Sequence, residues 1–190
     1  MLWKVTKLFD FHTAWEAFQE GDIDELERLA VGNTFPHGVD GWLGRRWLTN
    51  AIDAANAYSV EWVLSKGVDC NYVDDEGFSA LKSALQVERG CKRSPNAPSG
   101  AELTISLIDL LLGAGADVNA RLTLGYTALH AAASWSSVKV VQHLLARGAD
   151  PSAIAYDYES IAPADLAKFH KRWEVHSVLV AAMEKVSDQN

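Results

Sequence analysis

Cysteine is scarce in this chain, and its scarcity excludes a fold built on disulfide bonds. Among the 190 residues only Cys70 and Cys91 are cysteines, and neither has further ligands around it at the spacing of a metal site. We expect both to be reduced thiols, Cys70 in a turn between structural units and Cys91 in an exposed loop.

Long apolar runs are absent as well. No run approaches the ~20 residues that a membrane-spanning helix needs, although hydrophobic residues make up 48% of the chain and can fill a core. The opening residues, MLWKVTKLFDF, are interrupted by Lys4, Lys7 and Asp10, so they lack a secretory apolar segment. These absences predict a cytoplasmic protein that does not engage a membrane.

Patterns that carry catalysis are also missing. The six histidines are scattered, and none lies four residues from another, as a helical metal pair would. The segment Gly113-Ala-Gly115 ends an expected helix, whereas a phosphate-binding loop opens one. Ser134, Ser136 and Ser137 have no base that the pattern places to activate them. We therefore expect no enzyme activity, no cofactor and no metal.

The balance of charge bears on the partner. The chain has 17 basic and 25 acidic residues, a net charge of −8. This charge disfavours a nucleic-acid backbone as partner and suits a basic protein surface. A net negative charge can also be present only because it keeps a protein soluble, so a basic partner and simple solubility both stay open as interpretations.

The most informative stretch that is present runs from residue 122 to residue 153. Small helix formers follow Thr127 up to Ser134, and a polar break separates them from a segment whose apolar residues fall on one helical face. Gly148 follows that segment where a left-handed residue is needed. The order is therefore turn, short helix, break, amphipathic helix, turn.

This stretch resembles the ankyrin repeat. The family pattern G-x-T-P-L-H-x-A-A is matched by Gly125-Tyr-Thr-Ala-Leu-His-Ala-Ala, with Ala128 in place of the usual proline, and L-L-x-x-G-A-D is matched by Leu144-Leu-Ala-Arg-Gly-Ala-Asp. The resemblance implies an all-α solenoid of helix–turn–helix repeats with connecting β-turn or hairpin loops. It also implies that His130 hydrogen-bonds backbone groups of the adjoining turn.

The same unit recurs along the chain. Gly-Ala-Asp begins at Gly115 and again 33 residues later at Gly148, which is the period of this repeat. Gly77-Phe-Ser-Ala-Leu lies 48 residues before its counterpart at Gly125, which is one period plus an insertion of 15 residues. We therefore predict one domain, residues 1–190, with repeats at approximately 9–35, 41–73, 74–121, 122–154 and 155–186, and an inserted loop at 88–102.

The first two repeats are the most degraded. In the first, Trp15 and Phe18 are expected to pack inward. In the second, Arg46 to Thr49 replaces the capping pattern, so the helix lacks a good cap. Either burial of Trp47 compensates, or this helix is the softest part of the array.

The third and fifth repeats carry local signals of their own. The insertion in the third contains proline and glycine and predicts an irregular loop, which is either a solvated connection or a contact to the partner. In the fifth, Pro163 and Asp165 suit the first turn of a helix, and Trp173 belongs to the closing helix.

The resemblance also implies a binding surface. In ankyrin arrays the turn tips and the exposed side of each first helix line a concave groove that binds other proteins. Carried over position by position, this gives the predicted partner-binding residues Trp42, Arg45, Asp75, Glu76, Phe78, Leu124, Tyr126, Trp135 and Tyr158, with Gln19, Glu20, Leu43, Asp53, Gln86, Thr123, Ser134 and Asp157 as further candidates. The alternative for each aromatic is that it packs on its neighbouring repeat.

The function predicted from the sequence is non-enzymatic protein binding. One specific form is an inhibitor, an immunity protein that is a monomer when free and neutralises a basic toxin enzyme. The alternatives are a structural adaptor in a larger complex and an accessory subunit of an enzyme.

Overall fold

The computed structural model describes residues 10–32, 34–41, 43–73, 78–90, 99–157 and 159–188, without the side chains of Asp157 and Glu159. Within these ranges the chain is mostly helical, which confirms the predicted all-α class. The helices are α1 (Phe11–Glu20), α2 (Ile23–Ala30), α3 (Trp47–Asp53), α4 (Ala57–Ser65), α5 (Ala80–Gly90), α6 (Gly100–Gly113), α7 (Ala128–Trp135), α8 (Val138–Ala146), α9 (Pro163–Phe169) and α10 (Trp173–Ser187). A 3₁₀ turn covers Thr123–Gly125, and β1 (Ala155–Asp157) pairs with β2 (Glu159–Ile161) as an antiparallel hairpin.

The helices pack in consecutive pairs, from α1 with α2 to α9 with α10. Backbone contacts divide the chain into two compact units, residues 1–69 and 70–190, which we call the N-terminal unit and the C-terminal unit. In the N-terminal unit α1 packs on α3 and α2 on α4. In the C-terminal unit α5, α7 and α9 pack side by side, as do α6, α8 and α10. The single domain with its repeat bounds stays a prediction.

The N-terminal unit has an aromatic core. The ring of Phe35 lies 5.9 Å from Phe18, 4.9 Å from Trp47 and 5.6 Å from Trp62, measured between centroids. Phe18 is completely buried, as predicted, whereas Trp15 is half-buried. Arg46 precedes α3 without a side-chain capping hydrogen bond. Trp47 is buried, and compensation of the missing cap by this burial stays a prediction.

A buried carboxylate organises the turn that leads into α3. Asp40, which is 2% exposed, accepts hydrogen bonds from the backbone N–H groups of Leu43 and Arg45 and from the Nδ2 of Asn50 at 2.8 Å. Hydrogen bonds to a charged acceptor are stronger than neutral ones. Asp40 therefore fixes this turn from inside, without the threonine and histidine of the family pattern.

Alanine and leucine fill the core of the C-terminal unit, and two asparagines tie its turns together. Asn71 donates to the carbonyl of Gly115 at 2.9 Å and accepts from the N–H of Asp117 at 2.8 Å. Asn119, 48 residues later, makes the same pair of bonds to Gly148 and Asp150. The periodicity of the sequence is therefore repeated in the hydrogen bonds.

The predicted loop at 88–102 is wrong at both ends, because α5 continues to Gly90 and α6 begins at Gly100. The physical reason at the second boundary is a capping box: the Oγ of Ser99 accepts from the N–H of Glu102, and the Glu102 carboxylate accepts from the N–H of Ser99. Residues 91–98, including Cys91, lie outside the described residues, while Cys70 is buried.

The ends of α7 and α8 are satisfied by charged side chains from other repeats. The guanidinium of Arg172 donates to the carbonyls of Ala132, Ala133 and Ser136 at the end of α7. The carboxylate of Glu88 accepts from the N–H of Ser137 at 3.1 Å, where α8 begins. These contacts hold α5, α7 and the start of α10 in a fixed arrangement.

Candidate functional site

Four of the predicted partner-binding residues, Trp42, Asp75, Glu76 and Tyr158, lie outside the described residues. In the N-terminal unit, the guanidinium of Arg45 pairs with Asp53 at 2.7 Å, so two of the candidates contact each other. Gln19 and Glu20 are exposed at the end of α1. Leu43 is exposed in the same unit, and the other described residues of the predicted set belong to the C-terminal unit.

Three predicted residues, Leu124, Tyr126 and Trp135, line one pocket of about 290 Å³ in the C-terminal unit. We call it the α7 pocket. Its other lining residues come from α5, from α7 and from the turn before α7: Lys82, Leu122, Thr123, Thr127, His130, Ala131 and Ser134.

The α7 face of this pocket is set by local hydrogen bonds. The Nδ1 of His130 accepts from the N–H of Thr127 at 3.1 Å, so its Nε2 carries the hydrogen that is donated to the carbonyl of Ile161, also at 3.1 Å. His130 is fully buried, and this burial lowers its pKa, so the neutral ring is favoured. The predicted structural role of His130, bonded to the backbone of a neighbouring turn, is confirmed.

Aromatic rings and cations lie around the α7 pocket. The ring of Tyr126 meets that of His130 edge-on at 5.3 Å. The guanidinium of Arg89 lies 5.8 Å from the ring centroid of Trp135, and the Nζ of Lys82 lies 4.3 Å from the ring centroid of Phe78. Both distances fall within the range of cation–π contacts.

The remaining walls differ in exposure. Leu124 is 53% exposed and adopts a φ of 59°, which is unusual for a leucine and holds its side chain at the turn tip. Trp135 is half-buried, and its Nε1 is buried without an acceptor among the described atoms. An exposed leucine beside a half-buried tryptophan leaves apolar surface open to a ligand.

A second pocket of about 450 Å³ shares Tyr126 with the first and is otherwise lined by Ile161, Asp165, Leu166, Phe169 and His170. We call it the α9 pocket. Phe169 is 79% exposed. The two pockets together form what we call the first-helix surface. Of the residues that line the α9 pocket, only Tyr126 was predicted from the sequence.

Equivalent positions line the two pockets. Helix α7 begins at Ala128 and α9 begins at Pro163, 35 residues later. Phe169 therefore takes the position in α9 that Ser134 takes in α7, and the exposed Gln86 takes it in α5. Counting from Ser134 across the longer turn would have found Phe169 in the sequence.

The start of the last repeat agrees in part with its prediction. Pro163 opens α9, and the N–H of Ala162 donates to the carboxylate of Asp165 at 2.9 Å, which confirms the predicted first turn. Trp173 opens the closing helix but is 60% exposed, whereas Val175 and Leu179 are buried. Trp173 is exposed because it lies in the first turn of α10, outside the buried face of that helix.

The ring of His130 is fully buried, and both of its nitrogens are engaged in hydrogen bonds. In the part of the chain that the structure describes, no group of three or more His, Cys, Asp or Glu residues could hold a metal ion. None of the helices in that part is long and apolar enough to cross a membrane.

Comparison with known proteins bears on the motif that builds the α7 pocket. A family model described as "Ankyrin repeat" matches residues 124–156. The chain is 30% identical over 156 residues to an L-asparaginase of Dirofilaria immitis, covering 73% of this chain and 26% of that protein. It is 42% identical over 91 residues to a mitochondrial disaggregase of Bos taurus, covering 45% and 13%. It is 28% identical over 109 residues to a putative ankyrin repeat protein of Acanthamoeba polyphaga mimivirus, covering 57% and 12%.

The helix pairs and the repeated asparagine contacts between turns define a helical-repeat architecture. With the family match, the predicted resemblance is confirmed, and residues 124–156 form an ankyrin repeat. Ankyrin repeats are protein–protein interaction modules and are generally not catalytic. The chain spans about a quarter or less of the length of these relatives.

Proposed function

We propose that the C-terminal unit binds a partner protein through the first-helix surface. The observation that carries this proposal is the pair of neighbouring pockets that share Tyr126 and are lined by equivalent positions of α7 and α9. A partner segment that lies across first helices meets both pockets in succession.

The residue types support binding energy at this surface. Tyrosine, tryptophan and arginine are enriched among the residues that dominate interfaces. Tyr126 and Trp135 are half-buried, so their exposed parts belong to side chains that the fold already orders. Ordering before binding lowers the entropic cost of association.

The binding function is non-catalytic in this proposal. The surface offers aromatic rings, aliphatic walls and cations, and its one histidine of lowered pKa is enclosed. The inhibitor and the adaptor predicted from the sequence would both use such a surface. They differ in whether the partner keeps its activity when it is bound.

The proposal is tested by capture of the partner from an extract of cells that express the chain, followed by mass spectrometry. The double variant Tyr126→Ala, Trp135→Ala removes the shared aromatic and the far wall of the α7 pocket. Truncation of a central anchor typically costs 2 kcal/mol or more, so we expect affinity for the captured protein to fall about 30-fold or further.

The matched control is the double variant Gln142→Ala, Glu184→Ala, which changes exposed side chains of the second helices α8 and α10. It should bind as the unchanged chain does, and both double variants should keep their helical circular dichroism. Normal binding by the folded pocket variant would refute the proposed surface. An activity assay of the identified partner at a stoichiometric amount of the chain then separates an inhibitor from an adaptor.

A further inference from the structure

The charges around the first-helix surface differ in sign from the chain as a whole. Lys82 lines the α7 pocket, and Arg89 lies against its Trp135 wall. In the α9 helix and the turn after it, Lys168 and Lys171 flank the sequence of Phe169 and His170, and all four are exposed. Cations therefore lie at the α7 pocket and are sequence neighbours of the α9 pocket, where Asp165 is the acidic lining residue, although the chain carries a net charge of −8.

Two carboxylates on the helices that line these pockets, Glu88 of α5 and Asp165 of α9, are engaged in internal hydrogen bonds. Glu88 accepts from the N–H of Ser137 at the start of α8, and Arg172 is the charge beside it. Asp165 accepts from the N–H of Ala162 at the start of α9. By contrast, Arg89, Lys168 and Lys171 form no ion pair with any residue in the described ranges.

The net negative charge comes mainly from elsewhere. The N-terminal unit has 6 basic and 11 acidic residues, whereas the C-terminal unit has 11 basic and 14 acidic residues. In the C-terminal unit the acidic residues Asp74, Asp75 and Glu76 precede Phe78 in sequence and lie outside the described residues. The inference therefore concerns the helical part of the surface.

We propose that the first-helix surface binds an acidic segment of the partner, in which apolar side chains enter the two pockets and neighbouring carboxylates pair with Arg89, Lys168 and Lys171. This rests on the proposed function and names the chemistry of its partner. Apolar pockets supply affinity, and complementary charge at the rim supplies specificity and speed of association. A basic segment would meet cations of like charge at Lys82 and Arg89 beside the α7 pocket, which disfavours it there.

The test uses the whole chain and random linear peptides displayed on phage. Peptides that bind the unchanged chain are counter-selected on the folded variant Tyr126→Ala, Trp135→Ala, so that only pocket-dependent sequences remain. We expect these sequences to be enriched in aspartate and glutamate beside leucine, phenylalanine or tryptophan. Pocket-dependent peptides that are neutral or basic would overturn the acidic partner while leaving the proposed function intact. If no pocket-dependent peptide is recovered, both the acidic partner and the proposed surface are wrong.

Charge reversal then tests the rim with a selected peptide, labelled and followed by fluorescence anisotropy. The variant Arg89→Glu, Lys168→Glu should weaken binding about tenfold, because two exposed attractions become repulsions. The control Lys139→Glu, Lys185→Glu changes the net charge equally on the second helices α8 and α10 and should leave the dissociation constant within about twofold. Equal effects of the two variants would show that overall charge, and not this rim, attracts the peptide, which contradicts the proposal.

Discussion

Aromatic residues are used differently in the two units of this protein. In the N-terminal unit Phe18, Phe35, Trp47 and Trp62 are each at most 6% exposed and form one packed cluster. In the C-terminal unit Tyr126 and Trp135 are half-buried and Phe169 is 79% exposed, over a core of alanine and leucine. Large buried rings thus build the core of the N-terminal unit, whereas small and aliphatic side chains build that of the C-terminal unit and its aromatic rings stay partly or largely exposed.

The largest expected effect separates a core aromatic from a surface one. Trp47→Ala should destabilise the N-terminal unit by about 3–5 kcal/mol, because it removes a buried ring and leaves a cavity. Phe169→Ala should change the free energy of unfolding by about 0.5 kcal/mol or less, because most of that ring is already in water. Hydrogen exchange of α1 to α4 and of α7 to α10 measures both effects in separate elements. Similar losses of protection for the two variants would contradict the view that aromatic residues stabilise the N-terminal unit but not the C-terminal unit.

The second prediction concerns the charged cap on which the C-terminal unit depends. Arg172→Met keeps much of the side-chain volume but removes the donors to the carbonyls of Ala132, Ala133 and Ser136, so we expect a loss of about 1.5–3 kcal/mol. Arg147→Met is the control, since Arg147 is exposed and pairs with Asp109 at the surface; it should cost about 1 kcal/mol or less. Urea denaturation checks both, and equal costs would show that the half-buried guanidinium stabilises the fold no more than a surface ion pair does.

A third prediction follows from the lowered pKa of His130, whose cause is burial. The folded state binds a proton at this ring less readily than the unfolded state, whose value is the ordinary 6.5. The stabilising contribution is therefore present above that pH and is lost as the pH falls below it toward the folded pKa. Thermal unfolding from neutral pH downward should show a steeper fall for the unchanged chain than for His130→Asn. Parallel curves would mean that another group is responsible.

The smallest expected effects come from exchanging caps between the units. Arg46→Ser places a capping hydroxyl before α3, whose preceding residue already has extended backbone angles, and should stabilise the N-terminal unit by about 0.5–1 kcal/mol. Thr127→Ala before α7 should destabilise the C-terminal unit by about 1 kcal/mol. Chemical denaturation of both variants checks the signs; a loss with Arg46→Ser would show that the arginine itself is needed at this turn.

Much of the fold could be predicted because its signals are local in sequence. The pattern around Thr127 and His130 placed α7, and Pro163 with Asp165 placed α9. The start of α6 could also have been predicted, since Ser99 and Glu102 form a recognisable capping box. It was not predicted because the whole insertion was expected to be an irregular loop.

The parts that could not be predicted depend on contacts between distant residues. The hydrogen bonds of Arg172 to the end of α7 join residues 36 to 40 positions apart, and no spacing pattern in the sequence predicts them. The buried Asp40 likewise holds the turn before α3 by its own hydrogen bonds, in place of the family's capping residues. A comparison of motifs does not show this. The α7 pocket, one of the two pockets of the candidate surface, could be predicted from the repeat that matches the family pattern best. Its extension to Phe169 required the longer period of the last repeat.

The central claim is that the aromatic residues of the first-helix surface contact the partner. The most direct measurement is photo-crosslinking with benzoylphenylalanine at position 169, compared with the same group at position 142 on α8, both positions being exposed. The probe at 169 should crosslink to the partner captured by the unchanged chain, and an excess of unlabelled chain should abolish the crosslink, whereas the probe at 142 should give none. Crosslinking from position 142 and none from position 169 would contradict the account.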